Sequence, residues 1–162
     1  MSFMTLKIPG IDGQSTLKTH EKELEILSFS HGISLPLSAG SVSNSDRLAG
    51  RAIVQDMSMS RYVDSASPLL MQHCAAGQAI VGDLTFFIGR IEAGAPLNLI
   101  TYTLSDVFVS NYSISGGGDT PVENFTLNSA IIKAAYDVEK VTGGKAGQTT
   151  FSWDSTKAAA AT

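Results

Sequence analysis

Hydrophobic positions alternate with polar ones over most of this chain, which is the period-2 pattern of half-buried β-strands. The clearest case is residues 97–115, where apolar side chains fall mostly on even positions and hydroxyl or amide side chains mostly on odd ones. A strand of this length exceeds the usual range of roughly 3–10 residues and favours an extended, curved sheet or barrel. Residues 122–138 follow a glycine-rich turn and are predicted to return antiparallel.

The apolar pattern changes phase in two places. Leu24 and Ile26 are followed by Leu27 and Phe29, and a similar change falls at 128–129 in the second long strand. Because a one-residue slip moves every side chain to the opposite face, each change predicts a bulge or bend. Shorter strands are predicted at 5–8, 52–60, 83–91 and 149–153.

One segment has helical rather than strand character. Ser67 is its predicted N-cap, Pro68 suits the first helical turn, and Gly77 suits a left-handed exit. Leu70 and Cys74 lie four residues apart and predict a buried stripe along this helix.

The segment 36–50 has neither period and is rich in serine and glycine. A loop of more than about 12 residues in a compact domain is usually functional or mobile. It nevertheless carries the apolar residues Leu37, Val42 and Leu48, which a solvated linker does not need. We predict that these three, together with Arg47, contact another subunit.

Composition and charge narrow the class of protein. The 162 residues fit a single domain at 1–155 with a short flexible tail at 156–162. Fifteen acidic against eleven basic residues give a net charge of −4, and no basic run predicts binding to nucleic acid. No apolar segment approaches the ~20 residues of a membrane span, and the first residues lack a signal-peptide pattern. The chain is therefore expected to fold in the cytoplasm.

Catalytic and metal chemistry find little support in the sequence. Cys74 and the adjacent His73 point about 100° apart around a helix, so Cys74 is predicted to be a small buried hydrophobe. The spacing of His20, His31 and His73 is not that of metal ligands. Asp56 is predicted to hydrogen-bond the local backbone. No cofactor is predicted. A cysteine hydrolase centred on Cys74 and a monomeric β-barrel that binds a small ligand stay as alternatives to an assembling structural protein.

Several longer segments form a recognisable series. They are Lys7-Ile8, Asp12-Gly-Gln-Ser15, Thr19-His-Glu21, Val54-Gln-Asp-Met-Ser58, Tyr62-Val-Asp64, Ser67-Pro-Leu-Leu-Met71, Cys74–Gly77, Ile100–Ser110 and Glu123-Asn-Phe-Thr-Leu-Asn128. In this order they resemble the haemolysin-coregulated protein (Hcp) family, the inner-tube subunits of bacterial type VI secretion systems.

The resemblance implies a mainly β fold, a β-barrel of two packed antiparallel sheets with one short α-helix at the side, similar to phage tail-tube proteins. It also implies a homo-hexameric ring that stacks into a hollow tube, which is assembled in the bacterial cytoplasm inside a contractile sheath and tipped by a spike protein. The tube would be expelled to the extracellular space or a target cell without a signal peptide, with effector proteins in its lumen. Thr101, Thr103 and Ser105 are then candidates for the lumen side, and the family supplies no catalytic residue.

Overall fold

The computed structural model describes residues 1–37, 50–140 and 145–161. The strands are Ser2–Lys7 (β1), Leu24–Glu25 (β2), Ser28–Ser30 (β3), Ile33–Ser34 (β4), Ile53–Val54 (β5), Met57–Tyr62 (β6), Leu84–Glu92 (β7), Ala95–Ser115 (β8), Val122–Glu139 (β9) and Lys145–Asp154 (β10), and the helix is Ser67–Ala76 (α1). The mainly β class predicted from the alternating pattern is confirmed.

Eight strands of the described ranges form one antiparallel sheet in the order β2-β1-β7-β8-β9-β6-β3, with β10 added to β9. Its two ends, β2 and β3, are separated in the chain by only Ile26 and Leu27. The amide of Ile26 donates to the carbonyl oxygen of Met4 at 2.9 Å, and that of Leu27 to Ser60 at 2.8 Å. The bend predicted near Leu27 is therefore the point where the chain leaves one end of the curled sheet and joins the other.

The hydrophobic core fills the inside of this curl. Its large, fully buried side chains include Leu6, Leu24, Met57, Met59, Leu70, Phe86, Leu104, Phe125, Leu127 and Ile132. Phe86 meets Phe29 edge-on with ring centroids 5.0 Å apart and stacks on Tyr102 at 6.2 Å. Burying each such side chain stabilises the fold by about 1.5–3 kcal/mol, so this cluster dominates stability.

The helix ends as predicted but begins differently. Gly77 is left-handed, with φ 60 and ψ 33, and caps the last turn. The predicted N-cap is wrong, because Ala66 takes that position and Ser67 lies inside the first turn. The helix has no side-chain hydrogen bond at its N-cap. Instead, the Asp64 carboxylate accepts a hydrogen bond from the Ala66 amide at 2.8 Å and forms a local turn just before the helix. Within the described ranges, no helix is long and apolar enough to cross a membrane.

The long hairpin of β8 and β9 changes its buried face part of the way along. In β8, Leu104 faces the core, but beyond Asp106 the core-facing side chains are Val107 and Val109. Asp106 has φ 53, and a left-handed residue within a strand inverts the faces that follow. Phe108, which simple alternation places on the buried face, is consequently 43% exposed.

The bulge predicted at 128–129 is found in the opposite strand. The pairing register shifts between Val109 and Asn111, which leaves Ser110 as the extra residue in β8. The buried face of β9 changes as predicted, but it does so opposite Asp106 and without an extra residue in β9. Alternation within one strand cannot tell which of two paired strands carries the irregularity.

Candidate assembly surfaces

The base of the 36–50 loop is a separate two-stranded hairpin. Ile33 of β4 pairs with Val54 of β5, and the Gly50 amide donates to the Pro36 carbonyl oxygen at 2.8 Å. The segment predicted as one strand at 52–60 is therefore two strands. β5 belongs to this hairpin, whereas β6 belongs to the main sheet.

Four aliphatic side chains of this hairpin face solvent, and we refer to them as the apolar arm. Ile33, Leu35, Leu37 and Ile53 are 50%, 50%, 51% and 53% exposed, respectively. Because removing apolar surface from water contributes about 25 cal/mol per Å², a second surface that covers the arm would gain free energy. The predicted interface residue Leu37 belongs to the arm. Val42, Arg47 and Leu48 lie outside the described residues, and their contacts stay a prediction.

The predicted lumen residues Thr101 and Thr103 lie in a shallow depression of about 320 Å³ between β8, β9 and β10. Its walls also include Lys133, Ala135, Thr150, Ser152 and Ala161. Ser105 is on the same face of β8 but pairs with Ile131, outside the depression. All three predicted residues are half-buried, and we refer to the depression as the threonine groove.

The C-terminal segment forms one rim of the threonine groove. Hydrogen bonds of Asp154 hold the residues that follow it in a turn. One Asp154 carboxylate oxygen accepts hydrogen bonds from the Thr156 amide and hydroxyl at 2.9 and 2.6 Å. The Thr156 hydroxyl is the main cause that holds the pKa of Asp154 below its ordinary value. Ala159 exchanges two backbone hydrogen bonds with Asp154, at 2.8 and 3.3 Å. The flexibility expected for 156–162 stays a prediction.

The face of β8 that carries Thr101 and Thr103 continues across β7, where the loop between β1 and β2 covers it. His20 links this loop to the sheet. The buried His20 ring packs edge-on against Phe87 with centroids 4.7 Å apart. Its Nδ1 lies 2.8 Å from the Glu23 carboxylate and its Nε2 lies 3.0 Å from Asn98 Oδ1. Since Phe87 is directly opposite Thr101, this loop covers the face as far as β7.

A second polar face crosses β3, β6 and the first half of β9, and we refer to it as the serine face. The strand register aligns Ser28 with Ser60 and Asn124, and Ser30 with Ser58 and Thr126. No side chain of this face is buried. Its sequence signal is the alternation of serine with core residues in Ser28-Phe-Ser30 and Met57-Ser-Met-Ser60, which the prediction of lumen residues did not use.

Asp56 lies beside the serine face and makes contacts that differ from those predicted. Its carboxylate accepts hydrogen bonds from Ser110 Oγ at 2.6 Å and Asn128 Nδ2 at 2.7 Å. These partners belong to β8 and β9, so Asp56 ties together separate strands rather than the local backbone.

A buried charged cluster joins β6, β8, β9 and the start of α1. Arg61 Nη1 lies 3.0 Å from Glu123 Oε1, and the other Nη contacts the Asp64 carboxylate. The Tyr112 hydroxyl donates to Glu123 Oε2 at 2.5 Å. Burial, reinforced by Glu123, raises the pKa of Tyr112 to about 12, so its phenol remains a hydrogen-bond donor. The Arg61 guanidinium contacts two carboxylates, although its buried Nε has no hydrogen-bond partner among the described residues, and this pairing of buried charges is typical of a structural cluster.

The residues considered for catalysis are not brought together. Cys74 is half-buried and packs against the core rather than being fully buried. No hydrogen bond connects it to a histidine in the part of the chain that the structure describes. Among those residues there is also no group of three or more His, Cys, Asp or Glu side chains placed to hold a metal ion.

Comparisons with known proteins agree with one another. The family model described as "Type VI secretion system effector, Hcp" matches residues 5–136. The chain is 33% identical over 154 residues to protein hcp1 of Pseudomonas aeruginosa, and the match covers 93% of each chain. Hcp1 from Salmonella typhimurium is 28% identical, with a TM-score of 0.77 over 96% of both chains. A chain of the six-fold symmetrised anti-feeding prophage baseplate shares the fold alone, with 14% identity and a TM-score of 0.51 over 82% of this chain and 91% of that one.

Proposed function

Because the chain belongs to the Hcp family of type VI secretion system proteins, we propose that its copies form hexameric rings that stack into a hollow tube. The observation that carries this proposal is the apolar arm, four half-exposed aliphatic side chains on a hairpin outside the main sheet. A chain that works alone gains nothing from such a surface, whereas an assembling chain buries it.

Ring closure requires two different surfaces on each copy, joined by a head-to-tail contact that returns to its start. The described strands offer free edges for this purpose. β3 pairs only with β6, and β10 pairs only with β9. Exposed edge strands are templates for pairing with another chain. We take the sixfold symmetry of the ring from the resemblance to the Hcp family.

The remaining parts of the proposal concern the partners of the tube. A contractile sheath would surround it, a spike protein would tip it, and effector proteins would occupy its lumen. The tube would assemble in the bacterial cytoplasm and be expelled with its cargo. This role is structural rather than enzymatic, since Cys74 packs against the core on an apolar helix instead of facing a base.

Electron microscopy of the purified protein tests the assembly directly. Negative-stain images are expected to contain rings with a central hole, and sedimentation is expected to give a species of six chain masses. Leu48→Asp, in the loop beyond the arm, is expected to impair stacking while the chain stays folded, because a carboxylate is costly to bury in an apolar contact. A chain that stays monomeric at high concentration, with no rings in the images, would contradict the proposal.

Two polar faces compete for the lumen side. The threonine groove contains the predicted residues Thr101 and Thr103, but the C-terminal turn and the loop that holds His20 narrow its face from both sides. The serine face is open across three strands and carries small hydroxyl and amide side chains that do not obstruct a channel. This openness favours the serine face, and the threonine groove is the alternative.

Cysteine labelling of assembled tubes distinguishes the two faces. Thr103→Cys and Ser60→Cys are each made in a Cys74→Ala background and treated with a maleimide carried on a polymer too large to enter the tube. We expect Ser60→Cys to be protected in tubes and Thr103→Cys to react. The opposite result would assign the lumen to the threonine groove. Dissociated protein, in which both cysteines react, is the control.

A further inference from the structure

His20 is buried where the loop between β1 and β2 meets three strands of the main sheet. Its ring packs against Phe3 of β1 and Phe87 of β7, with centroids 5.1 and 4.7 Å away. Glu23, in the same loop, and Asn98, in β8, face the two ring nitrogens. One side chain therefore joins the loop to β1, β7 and β8.

Both nitrogens of this ring face oxygen atoms that only accept hydrogen bonds. Nδ1 lies 2.8 Å from the Glu23 carboxylate, and Nε2 lies 3.0 Å from the amide oxygen of Asn98. A neutral imidazole carries one N–H, so either tautomer directs a lone pair at one of these oxygens. The imidazolium donates from both nitrogens and satisfies both acceptors at once. Thr5 Oγ1, 3.4 Å from Nδ1, suits either form because a hydroxyl can donate or accept.

Glu23 is the one ionisable group that contacts the His20 ring among the described residues, and its side chain is 7% exposed. The side chains that contact the ring from the three strands are all uncharged, and they are Phe3, Thr5, Phe87 and Asn98. The other charged side chains of the loop are exposed, and they are Asp12, Lys18, Glu21 and Lys22. Because water and salt screen exposed charges, protonation of the ring is coupled mainly to Glu23.

The backbone on both sides of His20 has an unfavourable conformation. Thr19 and Lys22 have φ of 68 and 63, in the left-handed region that is costly for residues other than glycine. The Lys22 amide donates to the Ser15 carbonyl oxygen at 2.9 Å, and the His20 amide to that of Leu17 at 2.8 Å. Such a conformation persists only where the surrounding contacts over-determine it, and the His20 ring supplies buried contacts to three strands.

We propose that His20 is a proton-controlled latch, whose imidazolium holds the loop closed over β7 and β8 and whose deprotonation releases it. The deprotonated ring keeps one of its two hydrogen bonds to Glu23 and Asn98, and the backbone strain on both sides of it then favours opening. Opening uncovers Phe87, which lies directly opposite Thr101, and so widens the face that contains the threonine groove. The latch acts within a single copy and does not depend on the proposed tube.

Hydrogen exchange of the Lys22 amide at a series of pH values tests the latch. Between about pH 5.5 and about pH 8.5, where histidines ordinarily titrate, its protection is expected to fall at least about tenfold, the scale of one charge-assisted hydrogen bond. The matched control combines His20→Phe with Glu23→Gln, which keeps an aromatic ring in the loop and removes both titrating groups. The ratio of the two exchange rates at each pH cancels the intrinsic pH dependence of exchange. A ratio that stays constant across the range would overturn the proposal.

Nitrogen NMR of the ring keeps the proposal falsifiable if the double variant fails to fold. In the unmodified chain, both His20 nitrogens are expected to be protonated while the Lys22 amide is protected. A closed loop with a single protonated nitrogen would overturn the latch, since the Asn98 amide would then donate to the ring. Asn98→Asp supplies a second acceptor-only group and is expected to keep the loop closed to higher pH. An unchanged or lower pH of opening in this variant would also overturn it.

Discussion

Replacing Glu123 with alanine is expected to lower the free energy of unfolding by about 3–5 kcal/mol, because it leaves the buried guanidinium of Arg61 without one of its two counter-charges. The Glu123 side chain is fully buried and that of Arg61 is 2% exposed, so water cannot replace the lost partner. The substitution also removes the acceptor of the Tyr112 hydroxyl. The contact of Arg61 with Asp64 remains and places the loss towards the lower end of the range.

Denaturant unfolding measures this loss, at one protein concentration for all variants because the proposed assembly would stabilise the folded chain by mass action. Glu21→Ala removes an exposed acid and is the matched control. The double variant Arg61→Met with Glu123→Leu removes both charges, and we expect it to be more stable than Glu123→Ala. A loss below about 1 kcal/mol for Glu123→Ala would mean that the pair behaves as a solvated surface pair.

The ion pair in this cluster cannot be predicted from the sequence, whereas the helix beside it can. Pro68 and Gly77 act within a single helix, so they identify α1 from local chemistry alone. Arg61 and Glu123 are 62 residues apart, and nothing local marks either one as buried. Their pairing follows from the register of β6 with β9, which only the folded sheet defines.

The positions at which a strand changes its buried face are partly predictable from the sequence. The phase change at Leu27 is visible because apolar residues continue on both sides of it, and the structure confirms a bend there. Asp106 gives no such signal, because an aspartate in a polar position of a strand is unremarkable until its φ of 53 is known. The proposed assembly surfaces are harder still to predict, since their proposed partner is another copy and the sequence pattern of one chain does not show which surfaces meet. Leu37 does give a sequence signal, because an apolar residue in a polar loop is itself anomalous, and its role in an interface stays a prediction.

Because the buried face of β8 changes at Asp106, substitutions of phenylalanines can test which of them form the core. Phe86 is fully buried, in edge-on contact with Phe29 and stacked on Tyr102. Phe86→Ala is expected to cost about 3–5 kcal/mol of unfolding free energy, from lost burial and from the cavity that remains. Simple alternation would place Phe108 in the same core, but its exposure of 43% implies a much smaller cost for Phe108→Ala.

Phe108→Ala is thus the matched control for Phe86→Ala, with the same atoms removed from the opposite face of the sheet. In the dissociated chain we expect denaturant midpoints that separate the two variants clearly, with Phe108→Ala close to the unmodified protein. Equal losses would mean that β8 keeps one buried face past Asp106, and that the sheet does not curl in the way that exposes Phe108. Because that same inversion places Val107 and Val109 against the core, the assignment of outward faces in this half of β8 depends on the outcome.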